Sequence, residues 1–219
     1  MLHYMRRKRS GLRLFHFESH AFGGGTLRFV LASASERRQE LLRRILPEYE
    51  IMASSFDESL VPYKGDESAY VIELSRSKSN SVRNVYRMAD DVIIIGSDTI
   101  VSLDGTIYGK PCDREDASVM IRSMSGKWHS VYSGISIISA DGNTDSSFSV
   151  RTDVKFMEMT DAEMEEYLDT LDWEGKAGGY GIQGESSKYI EEIRGDYYNV
   201  MGLPLNSLYK NLKELDILG

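Results

Sequence analysis

The chain has 219 residues, 41% of them apolar, enough for one large domain or two small lobes around a substantial core. No apolar run approaches the ~20 residues that cross a bilayer, and the single cysteine, Cys112, excludes an internal disulfide framework or a cysteine-based zinc site and fits a reducing, cytoplasmic setting. The net charge of -8 is uneven: residues 1–26 carry five Lys or Arg against one acid, leaving 21 bases against 33 acids, or -12, in the rest. Such a body argues against a general nucleic-acid-binding surface, and a polyanion bound there needs local cations and a divalent metal.

Residues 1–26 show no clear periodicity and end in the break Gly23 to Gly25, so they are expected to be a poorly ordered basic extension ahead of a domain spanning 27–219. Their Arg-rich, acid-poor composition suits an organelle transit peptide, and an upstream translation start fits equally. Leu27 to Leu31 then reads as a strand, and Leu41, Leu42, Ile45 and Leu46 share one helical face, which makes Ala32 to Arg38 a strand-to-helix turn. Ser33, Ser35, Arg37 and Arg38 stand at that helix start, where free backbone N–H groups and arginine forks suit phosphate oxygens. The alternative is that Ser35 only caps the helix and the arginines are solvated.

A short strand is expected over Tyr49 to Ala53, followed by the acidic loop Phe56-Asp57-Glu58-Ser59. Spacing predicts a helix from Glu67 to Met88 with Val71, Leu74, Val82 and Val85 on its buried stripe. Lys78 lies on that stripe, and either snorkels to water or points its ammonium into a cleft. Asp91 to Ile95 opens a buried strand that places Gly96, Ser97, Asp98 and Thr99 within or just past its carboxyl end, where ligands of α/β sheets collect. Leu103-Asp104-Gly105-Thr106 is a hairpin signal returning to Tyr108-Gly109-Lys110-Pro111.

Asp113 begins a helix with Ala117, Met120, Ile121 and Met124 inward, ended by Gly126. Trp128 to Ser139 and Ser147 to Met157 form a β-hairpin, and His129 in it reads as a structural histidine. Thr160 to Glu163 is a capping box. The next stretch, WEGKAGGYGIQG from Trp173 to Gly184, allows backbone to approach a ligand; Gly179, Gly181 and Gly184 match GxGxxG without the strand-turn-helix unit that a dinucleotide site needs. Tyr189 to Ile193 is a final strand, and Leu205, Leu208, Leu212 and Leu215 mark a closing helix. No P-loop, GxSxG elbow or HExxH motif is present.

These parts form an inventory for phosphoryl transfer: cations at Arg37, Arg38, Lys78, Lys110 and Lys176, acids at Glu58 and Asp98, and a glycine-rich loop bearing Gln183. LASASERR, the Asp57-Glu58-Ser59 loop, Lys78, GSDTIV, YGKP, the Ser125 to His129 turn, WEGKAGGYGIQG and RGDYYNVMGLPL follow one another as in the Maf family of nucleotide pyrophosphatases, and the chain resembles its members from Leu27 to Leu215.

The resemblance implies an α/β fold of the inosine-triphosphate-pyrophosphatase type: a mixed twisted sheet flanked by helices, in two lobes with a central cleft. It also implies hydrolysis of a nucleoside triphosphate to monophosphate and pyrophosphate with Mg2+ or Mn2+. On that pattern Asp98 is the proton acceptor for water, and the inventory of charged groups adds Glu58 and Asp98 as the expected metal ligands. Ser33, Ser35, Arg38, Lys78, Lys110 and Lys176 bind substrate, and Arg37, Thr99 and Gln183 resemble the specificity set of the subfamily acting on dTTP and UTP. Glu36 departs from the family, whose members mostly have proline there. A non-catalytic nucleotide-binding regulator of cell division and a phosphatase of other phosphometabolites are the competing readings. Homodimers are common among such relatives, but no exposed apolar stripe in the sequence marks a dimer face.

Overall fold

The computed structural model describes residues 27–86 and 89–218, so the basic extension expected over 1–26 lies outside the described residues. Among the described residues seven strands build one mixed sheet: β1 Arg28–Leu31, β2 Glu50–Ile51, β3 Val92–Leu103, β4 Thr106–Tyr108, β5 Trp128–Ser139, β6 Asp145–Phe156 and β7 Ile190–Arg194. Their order is β2-β1-β3-β5-β6-β7, with β4 paired to β3. β1 runs parallel to β2 and β3, and every other pairing is antiparallel. The helices are α1 Glu36–Leu42, α2 Glu67–Tyr86, α3 Arg114–Met124, α4 Asp161–Asp169, α5 Tyr197–Val200 and α6 Leu205–Glu214.

Alternation along β3 sends Ile94, Gly96 and Asp98 to one face and Ile95, Ser97 and Thr99 to the other. Among the described residues α2 is the helix that covers the first face, closing a small core of Val30, Val82, Val92, Ile94 and Ile138. It can lie close because β3 and β5 offer it no side chain at Gly96 and Gly134. A Cβ on Gly134 would fall on the backbone of Val71, and one on Gly96 would sit 2.6 Å from the Ser75 carbonyl oxygen. The second face carries two helical groups. Leu41 and Leu42 of α1 and Leu208 and Leu212 of α6 pack on Ile93, Ile95, Ile135 and Ile137. Ala117, Ile121 and Met124 of α3 and Met164, Tyr167 and Leu168 of α4 pack on Val101, Val131, Val154 and Phe156. These are the two lobes, and the cleft runs between them.

The expected elements form, with several changes of extent. Helix α1 stops at Leu42, and Ile45 and Leu46 bury their side chains from the turn that follows. The strand read over Tyr49 to Ala53 pairs only at Glu50 and Ile51. Helix α2 spans Glu67–Tyr86, residues 87–88 of the expected span lying outside the described residues, and Val85 is 60% exposed rather than on the buried stripe, while its neighbour Tyr86 packs against the core beneath the helix. Asp98 is not near the end of its strand: β3 continues to Leu103, since β5 pairs with it as far as Ser102. Gly195 bends the chain after β7, and Asp196 caps the short helix α5, accepting a hydrogen bond from the Tyr198 N–H. The capping box at Thr160 and Glu163 is fully formed. Among the described residues no helix is long and apolar enough to cross a membrane.

Candidate active site

The register of β3 creates the site. On the edge away from β5 it pairs with β1 over Val92 to Ile95 and with β4 over Val101 to Leu103. Between them Gly96 to Ile100 has no strand partner on that edge among the described residues, and the chain of β1 turns away at Ala32 into α1. Through this window groups from both faces of the sheet reach one cleft of about 510 Å³, a volume suited to a nucleotide-sized ligand. The principle that ligands gather beyond the carboxyl ends of parallel strands therefore holds for β1, not for β3.

On the α2 face stands an acid–ammonium cluster. Lys78 on α2 donates to Asp98 Oδ1 and lies 2.7 Å from Glu58 Oε1. Of its two possible orientations Lys78 takes the inward one, with its side chain 12% exposed, and Asp98 is 9% exposed one contact back from the cleft wall. The close approach of α2 to Gly96 and Gly134 is what lets a lysine reach an acid on the strand below. Glu58 is held by its loop: Asp57 accepts from both the N–H and the hydroxyl of Ser59, which turns the chain there and lowers the Asp57 pKa. Two carboxylates share one ammonium, so the cluster retains one uncompensated negative charge.

On the opposite face stands Arg38. Its Nε donates to the Gly202 carbonyl at 3.0 Å, one terminal nitrogen to Ser33 Oγ at 3.3 Å, and the other to Thr99 Oγ1 at 2.9 Å. A guanidinium has five N–H groups, so one remains on each terminal nitrogen, a fork left for a ligand. Arg38 makes no carboxylate ion pair among the described residues. Burial pulls its pKa down, offset in part by the field of Asp98. Arg37 is likewise lowered by burial, lines the cleft, and has no hydrogen-bond partner among the described residues. The Gly202 carbonyl also accepts from Ser97 Oγ at 2.9 Å, so one backbone oxygen ties β3 and α1 to the turn after α5.

The first turn combines a cap with cleft-lining arginines that are not simply solvated. Ser35 caps α1, accepting from the Arg38 N–H, while its neighbours Ser33, Arg37 and Arg38 line the cleft. Glu36 is exposed at the cleft rim.

The far wall is the glycine-rich stretch. Gly178, at φ 68°, packs where a Cβ would lie 2.8 Å from Val101 Cγ2, and its N–H donates to the Gly109 carbonyl at 2.9 Å, which joins this wall to Lys110. Lys110 and Gln183 are exposed at the cleft, without hydrogen-bond partners among the described residues. Lys176 also lines the cleft, but its ammonium is held by the Asp172 carbonyl and by Asp172 Oδ1 at 2.8 Å. It therefore braces the loop in this structure instead of standing free for an anion. His129 is structural as read: buried, bonded through Nε2 to the Tyr180 hydroxyl at 2.8 Å, with burial pushing its pKa down to about 4.

Three contributors were not evident as site residues in the sequence. Gly202 and Asn199 lie in a stretch whose composition suggests only a turn, and Ser133 is one of several strand serines. Asp172 could have been found from its i, i+4 spacing to Lys176.

Comparison with known proteins places residues 28–215 in the family described as Maf-like protein. A dTTP/UTP pyrophosphatase of Clostridium novyi (strain NT) is 48% identical over 191 residues, covering 87% of this chain and 99% of that protein. One from Clostridium beijerinckii (strain ATCC 51743 / NCIMB 8052) is 46% identical over 189 residues, covering 86% and 100%. Among solved structures, a nucleoside-triphosphatase / dITP/XTP pyrophosphatase from Mycobacterium abscessus overlaps 61% of this chain and 76% of its own, with a TM-score of 0.39 and 12% identity.

Proposed function

The chain belongs to the Maf family, and we propose that it hydrolyses pyrimidine nucleoside triphosphates, dTTP and UTP foremost, to the monophosphate and pyrophosphate. One observation carries this reading: a guanidinium with two unused N–H groups and an acid–ammonium cluster face the same cleft through the unpaired window of β3. A cation without a carboxylate partner asks for an anion, and acids beside it offer a proton acceptor.

In the proposed reaction Arg37, Arg38 and Lys110 hold the triphosphate, with Ser33 and Ser35 at the turn that carries the arginines, and Lys78 holds Asp98 in place. Asp98 takes a proton from water, the water oxygen bonds to the α-phosphorus, and the bond from that phosphorus to the bridging oxygen breaks, so that pyrophosphate leaves with the electron pair. Holding reactants in line and neutralising charge supply most of the acceleration. Lys176, through its hold on Asp172, keeps the loop of Gln183 in shape, and the Gln183 amide, able to donate and accept, reads the base edge.

The donor set also suits a metal. No group of three or more metal-ligating side chains occurs among the described residues. Glu58 and Asp98 nonetheless present hard oxygen donors with net negative charge, as a Mg2+ or Mn2+ site completed by waters and substrate phosphates requires. Bound there, the cation would neutralise phosphate charge.

The test incubates the purified chain with dTTP, UTP, CTP and GTP and Mg2+ or Mn2+, and separates pyrophosphate from orthophosphate. Pyrophosphate from dTTP or UTP is the expected product. Absence of turnover would leave a non-catalytic nucleotide binder, and orthophosphate alone a phosphatase.

A further inference from the structure

Ser133 lies in the middle of β5, buried and absent from the cleft wall, directly opposite Thr99 of β3. Its hydroxyl donates to the Asn199 carbonyl at 3.1 Å and lies 2.9 Å from Thr99 Oγ1. A serine hydroxyl has one hydrogen. With that hydrogen spent on Asn199, the hydrogen in the Thr99–Ser133 contact is Thr99's own, so Thr99 donates inward. Its oxygen then turns lone pairs outward, to the Arg38 terminal nitrogen 2.9 Å away. The bonds run in one direction from Arg38 through Thr99 and Ser133 to Asn199.

The far end of this chain is anchored independently of the cleft. Asn199 is fully buried, and its side-chain nitrogen donates to the Val131 carbonyl and to Thr152 Oγ1, each at 3.1 Å. Its backbone carbonyl also accepts from the Gly202 N–H at 2.9 Å, so the turn that presents the Gly202 carbonyl to Arg38 does not depend on Ser133. Without the Ser133 hydroxyl, Thr99 loses the acceptor for its hydrogen, and that hydrogen is free to turn toward the guanidinium or the cleft.

We propose that Ser133 is a positioning residue that, by orienting the Thr99 hydroxyl, aims the free N–H fork of Arg38 at the ligand's phosphate oxygens. This rests on the reading of Arg38 as a phosphate grip, and it assigns Thr99 the aiming of that grip in addition to any part in base preference.

The full chain tests it by two measurements that need no turnover: the side-chain 15N–1H signals of Arg38 at low temperature, where a restrained guanidinium shows resolved terminal N–H signals, and calorimetric binding of inorganic pyrophosphate. Ser133→Ala and Thr99→Val should both collapse the Arg38 signals and weaken pyrophosphate binding about tenfold, a usual coupling within one hydrogen-bond network. Thr99→Ser, which keeps the hydroxyl, should preserve both. The proposal is overturned if Ser133→Ala leaves the signals or the affinity unchanged, if Thr99→Ser behaves like Thr99→Val, or if the unmodified chain does not bind pyrophosphate. A chain that passes these tests yet hydrolyses no triphosphate would refute the proposed reaction and leave the role of Ser133 standing.

Discussion

Gly134 is where the fold and the site meet. It lies opposite Asp98 in the β3–β5 ladder, and the first turns of α2 rest on it. A Cβ added there would sit 2.8 Å from the Ile72 nitrogen and closer still to the Val71 carbonyl, against an ordinary separation of at least 3.4 Å. Every atom in the way is backbone, so no rotamer relieves the clash, and α2 must rise by on the order of 1 Å. Overpacking of this kind costs ~1–3 kcal/mol. At about 2–4 °C per kcal/mol for a chain of this length, Gly134→Ala should lower the melting temperature by roughly 2–12 °C.

The same lift acts on Lys78, two helical turns further along α2. An increase of about 1 Å takes the 2.7 Å contact with Glu58 out of hydrogen-bonding range and weakens that with Asp98. Turnover should therefore fall even at temperatures where the variant is fully folded. Calorimetry and kcat for dTTP check both effects. Gly109→Ala, whose added Cβ would meet nothing within 4 Å, should leave the melting temperature unchanged. A Gly134→Ala variant with normal melting and normal kcat would show that α2 does not need the missing side chain to reach the sheet.

Asp98→Asn should reduce turnover of dTTP by about 10³-fold while the chain stays folded, the usual scale for losing a general base, and near-normal turnover would remove Asp98 from its role. Gln183→Ala should change the ratio of rates across dTTP, UTP, CTP and GTP more than the overall stability; an unchanged ratio argues against base reading by this amide. His129 gives a pH dependence of stability. Its pKa stands at about 4 when folded against 6.5 when unfolded. As pH falls below about 6.5 the unfolded chain takes up a proton that the folded chain refuses, so stability is lost progressively down to pH 4, by roughly 3 kcal/mol at most. Denaturant titrations from pH 7 to 4 should show this loss, and a His129→Gln variant should lack that component; equal slopes in the two proteins would refute the assignment.

Local pattern went far in this chain. The strand-to-helix turn at Ala32 to Arg38, the Asp104-Gly105 hairpin, the helix begun by Asp113 and the box at Thr160 are all decided within a few residues, by alternation, helical spacing, turn chemistry and caps, and they are found where the pattern puts them. Ordered motifs carried the family and an inventory of charged residues for the site. Extents were less legible. The length of β3 depends on β5 beside it, and in the last turn of α2 it is Tyr86, not Val85, that packs inward.

What the sequence could not determine was direction. Lys78 had two open orientations, and Lys176 resembled a ligand-binding cation. The first is drawn inward because two glycines bring α2 down on the strand that holds Asp98, and the second is occupied by Asp172. Arg38 could be identified as a cation at a helix start, but its three anchors come from Ser33, from Thr99 and from Gly202, the last 164 positions away. Residue type and short-range spacing are properties of the chain itself. The register that leaves Gly96 to Ile100 without a partner, and the hydrogen bonds that aim a guanidinium through it, arise only when distant segments meet.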